Sequence, residues 1–454
     1  MTTITSITGN ITTTDSRSAS DVVYLVSAVY ATGNLNALNI TSGTNVEVVF
    51  RNGGSVFNTY AAGTAVDISA DIHLTVEEGS TLSSGGTAVS VEGQQVLTLT
   101  NFGSVMGLDG GAVVGAGDGS SITNYGELRG SVGYSSVTNG GSSVDNYGTI
   151  SANLASGSAV DLGYLNDTLN NYGTMFGQAV LYTGSDQVFN SGTMRGLVAI
   201  VGTNGTKAIV NTGVIASTIA FHDAIVLGNG ADTITNFGQI FGNVRFGNGV
   251  NAFYNEGDGI VTGHVIGGNG HENLLGGNNA DFFDGGGGDD VLQGGGGDDH
   301  LDGETGNDSM RGGPGDDIYI VDSQLDLITE QKGEGIDTVH ADVSYTLQAG
   351  VEVEFLSAGM ASDLTLVGNE FAQTITGIVG GDDILDGGGG VDRLFGGDGN
   401  DQLIGGGSND KLYGEAGDDS LIGGKGSDLM DGGAGTDKSD NDGSDTLTNI
   451  EAAV

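Results

Sequence analysis

The chain lacks several residue types on which compact domains usually rely. Its 454 residues include no cysteine, no tryptophan and one proline, and aromatic residues make up 6%. Without cysteine there are no disulfides, so the fold must be stabilised by bound metal ions or by packing alone. Lysine and arginine total 12 against 58 acidic residues, and this balance argues against nucleic acid or an anionic membrane as a partner. No apolar run is long enough for a membrane span. The first 15 residues lack the basic and apolar regions of a cleavable signal peptide.

Glycine and acidic residues are abundant instead, and they are unevenly placed. The chain has 87 glycines and an apolar fraction of 37%, which favours a repetitive fold in which each unit contacts mainly its neighbours. Residues 1–266 carry 19 acidic and six basic residues, whereas residues 267–454 carry 39 and six. Such a density of acids is tolerable only where they bind cations or are well solvated.

The first half repeats a phrase of the form apolar-X-Asn-X-Gly-X-apolar, as in LTNFGSV, ITNYGEL and VDNYGTI. Its asparagines are Asn101, Asn124, Asn146, Asn171, Asn190, Asn211, Asn236 and Asn255. The mean step is about 22 residues, and most repeats carry a second short strand about ten residues upstream. This spacing predicts a parallel β-solenoid whose corners are left-handed turns at Asn and Gly, with stacked asparagines joined in a hydrogen-bonded ladder. Residues 50–260 resemble the passenger-type β-helices of bacterial autotransporters and large exoproteins.

The second half repeats with a period of nine residues, Gly-Gly-X-Gly-X-Asp-X-apolar-X, as in GGGGDDVLQ and GGGGDDHLD. Two blocks, 267–320 and 378–440, are separated by residues 321–377. The pattern resembles the repeats-in-toxin (RTX) β-roll, and the segment between the blocks resembles the non-repeat strands that separate RTX blocks in exoproteins. We expect the first six residues of each repeat to form a turn and the last three a strand. The apolar eighth residue should point inward, so that two repeats make one flat coil.

The acids at the sixth position should stack on one another. At a strand spacing of about 4.8 Å, two carboxylates repel by roughly 3 kcal/mol even at an effective dielectric constant near 20, so cations must lie between them. Calcium suits this position because it accepts six or more hard oxygens in flexible geometry, whereas magnesium requires a tighter octahedron. The predicted carboxylate ligands are Asp281, Asp290, Asp299, Asp308, Asp317, Asp383, Asp392, Asp401, Asp410, Asp419, Asp428 and Asp437.

The RTX resemblance implies that each ion lies between turns two repeats apart and is also bound by turn carbonyls. The glycines assigned to that role are Gly285, Gly287, Gly294, Gly296, Gly312, Gly387, Gly389, Gly396, Gly405 and Gly423. Glu272, Glu304, Thr305 and Ser408 depart from the pattern, and we expect weaker sites at the block ends. Because the metal-free column repels itself, calcium binding should be coupled to folding. The resemblance also implies type I secretion with a C-terminal signal, for which residues 445–454 are the candidate. A capping strand is the simpler explanation for these residues and is compatible with the signal.

RTX repeats accompany enzymes, toxins and surface-layer proteins alike, so they do not set the activity. The sequence contains no HExxH and no GxSxG motif, which argues against the metalloprotease and lipase classes. A β-helical polysaccharide lyase or epimerase remains the enzymatic alternative. Its candidate residues are Arg129 and Arg195, three coils and about 14 Å apart, and the pair His222–Asp223. Scattered surface charge is the simpler explanation for these residues, and we assign no catalytic residue and no cofactor besides calcium.

The sequence therefore predicts an all-β, secreted or cell-surface structural protein of a surface layer, matrix or filament, with a surface- or glycan-binding adhesin as the close alternative. Its expected partners are copies of itself, the type I secretion machinery and possible cell-surface glycans. The predicted order is an N-terminal cap or assembly segment (1–47), a parallel β-solenoid (48–266), an RTX β-roll block (267–320), a β-rich insert (321–377), a second block (378–440) and a C-terminal cap with the secretion signal (441–454). Within the first segment, residues 21–40 could cap the first coil or receive a neighbouring protomer.

Overall fold

The computed structural model describes residues 2–4, 22–25, 29–31, 38–40, 46–51, 55–58, 64–93, 95–117, 119–134, 141–152, 157–359, 363–440 and 443–453. The chain divides into two compact units: unit 1 (Met1–Asn248 with Ile260–Gly263) and unit 2 (Gly249–Gly259 with His264–Val454). Every regular element in the described ranges is a β-strand, and the strands stack in parallel. This confirms the predicted fold class. The six-segment division of the chain stays a prediction.

Unit 1 has three strands in each complete coil, and each strand stacks on its equivalent in the next coil. The first face contains Thr2–Ile4, Val22–Leu25, Val46–Phe50, Ile72–Val76, Leu97–Asn101, Ser121–Asn124, Ser143–Asn146, Thr168–Asn171, Asp186–Asn190, Lys207–Asn211 and Thr233–Asn236. The second contains Val29–Ala31, Ser55–Asn58, Thr81–Ser84, Ser104–Ala116, Glu127–Tyr134, Thr149–Ser151, Thr174–Phe176, Thr193–Gly196, Val214–Ser217, Gln239–Phe241 and Ile260–Val261. The third contains Leu38–Ile40, Thr64–Ile68, Thr87–Val91, Ser158–Asp161, Gln178–Leu181, Ile200–Gly202, Asp223–Val226 and Asn243–Arg245, together with the second halves of Ser104–Ala116 and Glu127–Tyr134.

The Asn-X-Gly phrase is a corner between the first and second faces, so each phrase spans two strands rather than one. The glycine at this corner is not left-handed, and that part of the expectation was wrong. Glycine is needed there because successive corners stack closely: a Cβ on Gly126 would collide with the carbonyl oxygen of Gly103. The backbone N–H groups of Tyr125 and Gly126 both donate to the carbonyl of Asn101 in the preceding coil, at 2.7 and 3.1 Å.

The corner asparagines form the expected ladder. The Nδ2 atom of Asn101 donates to Oδ1 of Asn124 at 2.8 Å, and the same bond repeats through Asn236 at 2.7–2.8 Å. All seven asparagines are buried. Because each side chain is both donor and acceptor, a buried polar column is satisfied without any net charge. Within the N-terminal segment 1–47, the structure describes residues 2–4, 22–25, 29–31, 38–40 and 46–47. Half of residues 21–40 lie outside the described residues, and the role proposed for them stays a prediction.

Unit 2 has two strands in each coil and three ladders. A short ladder contains Ala252–Asn255, Asn273–Leu275, Val291–Gln293, Ser309–Arg311 and Leu327–Ile328. A long ladder contains Val265–Ile266, Phe282–Asp284, His300–Asp302, Ile318–Val321, Thr338–Ala341, Phe355–Ala358, Thr374–Thr376, Arg393–Asp398, Lys411–Ala416, Leu429–Asp431 and Thr446–Thr448. A late ladder contains Tyr345–Thr346, Thr365–Val367, Ile384–Asp386, Gln402–Gly407, Ser420–Lys425, Lys438–Ser439 and Ala452–Ala453.

The long ladder passes without a break through residues 321–377, so the segment between the blocks continues the stack. Opposite it, the short ladder ends at Leu327–Ile328 and the late ladder begins at Tyr345–Thr346. The eighth residues of the repeats, such as Leu292, Leu301 and Leu403, are completely buried between the facing ladders, as expected. Strands at 446–448 and 452–453 pair with the preceding coil, so most of residues 445–453 is part of the stack.

Candidate metal centres

The turns of unit 2 depend on glycine at the second and fourth positions of each repeat. In the repeat that starts at Gly285, Gly286 has φ = 100° and Gly288 has φ = 127°, a left-handed region that side chains rarely adopt. Three turns place another residue there: Glu304 (φ = 51°), Glu415 (75°) and Ser408 (96°). The alternation bends the backbone tightly, and the sixth residue then faces the turn of its own repeat.

The sixth-position acids form two buried columns, one along each edge of the stack. We refer to the two together as the acid column. In each case Oδ1 of one acid accepts the backbone N–H of the residue one coil earlier. Asp290 accepts from Glu272 at 2.7 Å and Asp308 accepts from Asp290 at 2.7 Å; the second block repeats the pattern from Asp383–Asp401 to Asp419–Asp437 at 2.7–2.9 Å. These bonds fix the direction of each carboxylate and leave its second oxygen for another partner.

Most second oxygens of the acid column are buried without a hydrogen bond from the protein. They belong to Glu272, Asp290, Asp299, Asp308, Asp317, Asp392, Asp401, Asp410, Asp419 and Asp437. In the aspartates of this set, the second oxygen lies over the first glycine of its own repeat. A Cβ built on Gly285 would lie 2.6 Å from Oδ2 of Asp290 and 2.8 Å from the carbonyl oxygen of Gly303, one coil later. The second block has the same cradle at Gly387, between Asp392 and Gly405.

Burial disfavours the ionised form of these carboxylates and so raises their pKa values. It raises the pKa of Asp299 and Asp308 to about 7 and that of Asp281 to about 6, with further increases for Asp299 and Asp308 from the neighbouring acids of the column. In the second block, burial and then Asp410 raise the pKa of Asp392 to about 7. A carboxylate held ionised in such a place needs a cation beside it.

The donor set fits calcium. Each cradle offers carboxylate and carbonyl oxygens only, with no nitrogen or sulfur donor, and hard oxygen ligands in a flexible arrangement are what calcium takes. The sixth-position acids and the first-position glycine carbonyls predicted as ligands lie together at these cradles. The ligand roles assigned to the individual acids and glycine carbonyls stay predictions. When bound, the ion supplies the positive charge that the column lacks.

The first sixth-position aspartate of each block, Asp281 and Asp383, differs from most other acids of the column because both of its carboxylate oxygens accept hydrogen bonds. The expectation of weaker sites at the block ends stays a prediction. Oδ2 of Asp281 accepts the N–H of Gly277, and Oδ2 of Asp383 accepts the N–H of Ile378, both at 3.0 Å. Oδ1 of Asp281 also lies 3.1 Å from the Nδ2 of Asn255. Both oxygens of these acids are therefore already engaged within the protein.

The acid column is longer than the nonapeptide pattern predicts. Further acids accept the N–H of a column residue: Asp326, Asp337, Glu354, Asp445 and Glu451. The first of these was detectable, because Asp326 follows Asp308 by the same 18 residues that separate the others. The remaining acids follow steps of 14, 17 or 20 residues, which a strict period of nine does not find.

Replacing Ser408 by glycine is expected to stabilise calcium-loaded unit 2 by about 1 kcal/mol, because the change relieves a left-handed φ of 96°. Denaturant unfolding at saturating calcium measures the change. Ser427→Gly is the matched control: Ser427 is exposed and outside the left-handed set, so glycine there should be neutral or destabilising. If Ser408→Gly lost stability, the inference that the left-handed backbone of Ser408 is strained would be wrong.

Lowering the pH is expected to compensate in part for the absence of calcium, because protonation neutralises the acids of the column. The folded-state pKa values of Asp299 and Asp401, about 7 and about 6, exceed the usual value for an unfolded chain. The folded state therefore binds more protons between about pH 4 and pH 7, and without calcium its stability falls as the pH rises through that window. Calcium-depleted protein should gain β-structure in far-UV circular dichroism as the pH is lowered toward about 5. Calcium has to be removed with a chelating resin beforehand, because soluble chelators bind calcium more weakly in acid. A spectrum that does not change with pH would contradict the raised pKa values.

The enzymatic candidates of unit 1 do not form a cluster. Arg129 and Arg195 lie in one column with two residues between them, so they are three coils apart, as expected. Asp223 pairs with Arg245, with 3.4 Å between Oδ2 and Nε, and His222 is exposed on the preceding turn. Among the described residues, the one group of three potential metal ligands within 4.8 Å of one another is Asp317, Glu330 and Asp337, and it contains no histidine.

Comparison with known proteins agrees with this geometry. A family model described as the RTX calcium-binding nonapeptide repeat matches four times, at residues 266–301, 293–328, 379–403 and 404–438. No curated protein matched the chain. The part of the chain that the structure describes contains no helix long and apolar enough to cross a membrane. Proteins with these repeats bind calcium, are generally secreted or extracellular, and typically use type I secretion. The chain therefore contains RTX calcium-binding nonapeptide repeats, which follow a β-helical region in the sequence.

Proposed function

We propose that the protein is a structural subunit of a surface layer, extracellular matrix or filament, which folds on meeting calcium outside the cell and then self-associates. The observation that carries the calcium-dependent part is the acid column, in which most of the buried second oxygens have no hydrogen bond from the protein. Such a column is unfavourable at low calcium and stable at high calcium. Secretion as an unfolded chain followed by folding outside the cell fits that dependence.

The surface of unit 1 supports a structural rather than a catalytic role. Phe102, Tyr125, Tyr147 and Tyr172 stack in consecutive coils with ring centroids 4.6–4.9 Å apart and interplanar angles of 4–10°. Tyr125 and Tyr147 therefore have a ring stacked on each face, which leaves their edges toward solvent. A sugar-binding platform needs an open ring face, and this row therefore favours self-supporting packing over the adhesin or lyase alternatives.

An exposed apolar turn of unit 1 supports self-association. Phe221 is 91% exposed and has φ = 61°, next to the exposed Ile219, and the Ser217 hydroxyl ties this turn to Leu197, which is 68% exposed. Large apolar side chains held this far into solvent are typical of contact sites between molecules. A second copy of the chain is the partner that the structural role requires.

Electron microscopy of the purified protein across a calcium titration tests the proposal. We expect sheets or fibres at millimolar calcium and single particles in chelator. Phe221→Asn should reduce assembly while leaving calcium-induced folding unchanged, because asparagine tolerates a left-handed φ. Single particles at every calcium concentration would refute the structural role. Release of unsaturated uronides from alginate or pectate would instead favour a lyase, and binding to immobilised glycans without assembly would favour an adhesin.

A further inference from the structure

The turn formed by residues 330–337 stacks at the C-terminal end of the first RTX block. Glu330 follows Gly312 by 18 residues and so takes the place that a first glycine has in the other turns. The backbone N–H of Asp317 donates to Oδ1 of Asp337 at 2.9 Å, and the N–H of Gly315 donates to the carbonyl of Glu334 at 2.8 Å. Residues 330–337 therefore act as an additional turn, with two more residues between the first position and the acid than a nonapeptide has.

Three carboxylates converge between this turn and the last nonapeptide turn. Asp317, Glu330 and Asp337 each have an oxygen within 4.8 Å of the other two, and they are 1%, 2% and 1% exposed. Oδ2 of Asp317 has no hydrogen-bond partner and points over Gly312. The hydroxyl of Tyr319 lies over the same glycine, donates to Oε2 of Glu330 and accepts the N–H of Gly312 at 2.6 Å.

We propose that Asp317, Glu330 and Asp337 form a calcium site of a different kind from the cradles of the repeats, with the tightest binding in the chain. An ordinary cradle contributes a glycine carbonyl where this site contributes the carboxylate of Glu330, and affinity for calcium rises with the number of charged ligands. Glu330 and Asp337 lie between the repeat matches of the first block, which end at 328, and those of the second block, which begin at 379. The site fixes the segment between the blocks onto the first block.

Terbium, which takes the same hard oxygen ligands as calcium, is the probe. Its emission is sensitised by a nearby excited tyrosine, and Tyr319 is in hydrogen-bond contact with Glu330. With full-length protein and tyrosine excitation, substoichiometric terbium should emit first from this site, and calcium should displace it. Tyr319→Phe should remove most of this first signal while native mass spectrometry shows the same number of tightly bound calcium ions.

The carboxylate variants decide between a metal site and a set of acids that merely share protons. Glu330→Gln and, separately, Asp337→Asn should lose one tightly bound calcium ion and weaken the first terbium phase on the order of tenfold or more. Glu370→Gln is the matched control, because Glu370 is exposed in the same segment and only accepts the N–H of Gly350. Glu330→Gly restores the glycine found at the first position of the other turns. It tests the site if the Glu330→Gln variant does not fold. If Glu330→Gly and Asp337→Asn both keep the wild-type stoichiometry and first phase, the site is refuted.

Discussion

Removal of calcium is expected to unfold unit 2 and to leave unit 1 folded. In unit 2 most coils of the two RTX blocks add buried carboxylates whose second oxygens have no hydrogen bond from the protein, and their mutual repulsion opposes stacking unless a cation intervenes. Unit 1 is instead supported by the neutral asparagine ladder, whose donors and acceptors satisfy one another. The two units should therefore respond differently to the same chelator.

Hydrogen–deuterium exchange of the full-length protein, with and without chelator, measures the difference peptide by peptide. Backbone amides of residues 267–320 and 378–440 should lose most of their protection, by on the order of a hundredfold or more, whereas those of residues 97–236 should change little. Magnesium at the same concentration is the control and should not restore protection, because it prefers a rigid octahedral shell. Equal loss of protection in both units would contradict the calcium dependence assigned to the acid column.

Periodic features were the part of this fold that the sequence predicts well. The asparagine ladder and the acid column follow from fixed spacings, because in a parallel stack each residue meets its equivalent one coil later. The number of strands in a unit 1 coil was underestimated because the Asn-X-Gly phrase has apolar residues on both sides and looks like one element. Its corner is visible only when the close approach of Gly126 to Gly103 is known.

The repeat pattern did not predict buried charged residues that lie outside its spacing. Glu330 and Asp337 fall outside the repeat because two additional residues separate them, although stacking brings them onto Asp317. Lys207 gave no signal either, since a single lysine in a strand is usually a solvated side chain. In the structure it is completely buried.

Lys207 occupies the equivalent of the acid column in unit 1. Its ammonium group lies 3.0 Å from Oδ2 of Asp186 and donates to the carbonyl oxygens of Gly184 and Asn204, each at 3.0 Å. Its backbone N–H donates to Oδ1 of Asp232 at 2.7 Å, the same bond that links the acids of unit 2. One carboxylate and two turn carbonyls thus surround a cation that is part of the chain, and for this reason we expect this coil of unit 1 to stack without calcium.

Replacing Lys207 by methionine is expected to destabilise unit 1 by about 3–5 kcal/mol, because it leaves the buried carboxylate of Asp186 without its counter-charge. Urea unfolding of unit 1 in chelator, followed by hydrogen exchange of residues 186–236, measures the loss. Asp186→Asn in the same chain should recover much of it, since the amide removes the uncompensated charge. Arg245→Met is the matched control: its ion pair with Asp223 is solvent-exposed and should contribute at most about 1 kcal/mol. If the two methionine variants lose equal stability, then the buried ammonium does not replace calcium, and the packing of unit 1 alone must overcome the charge of its acids.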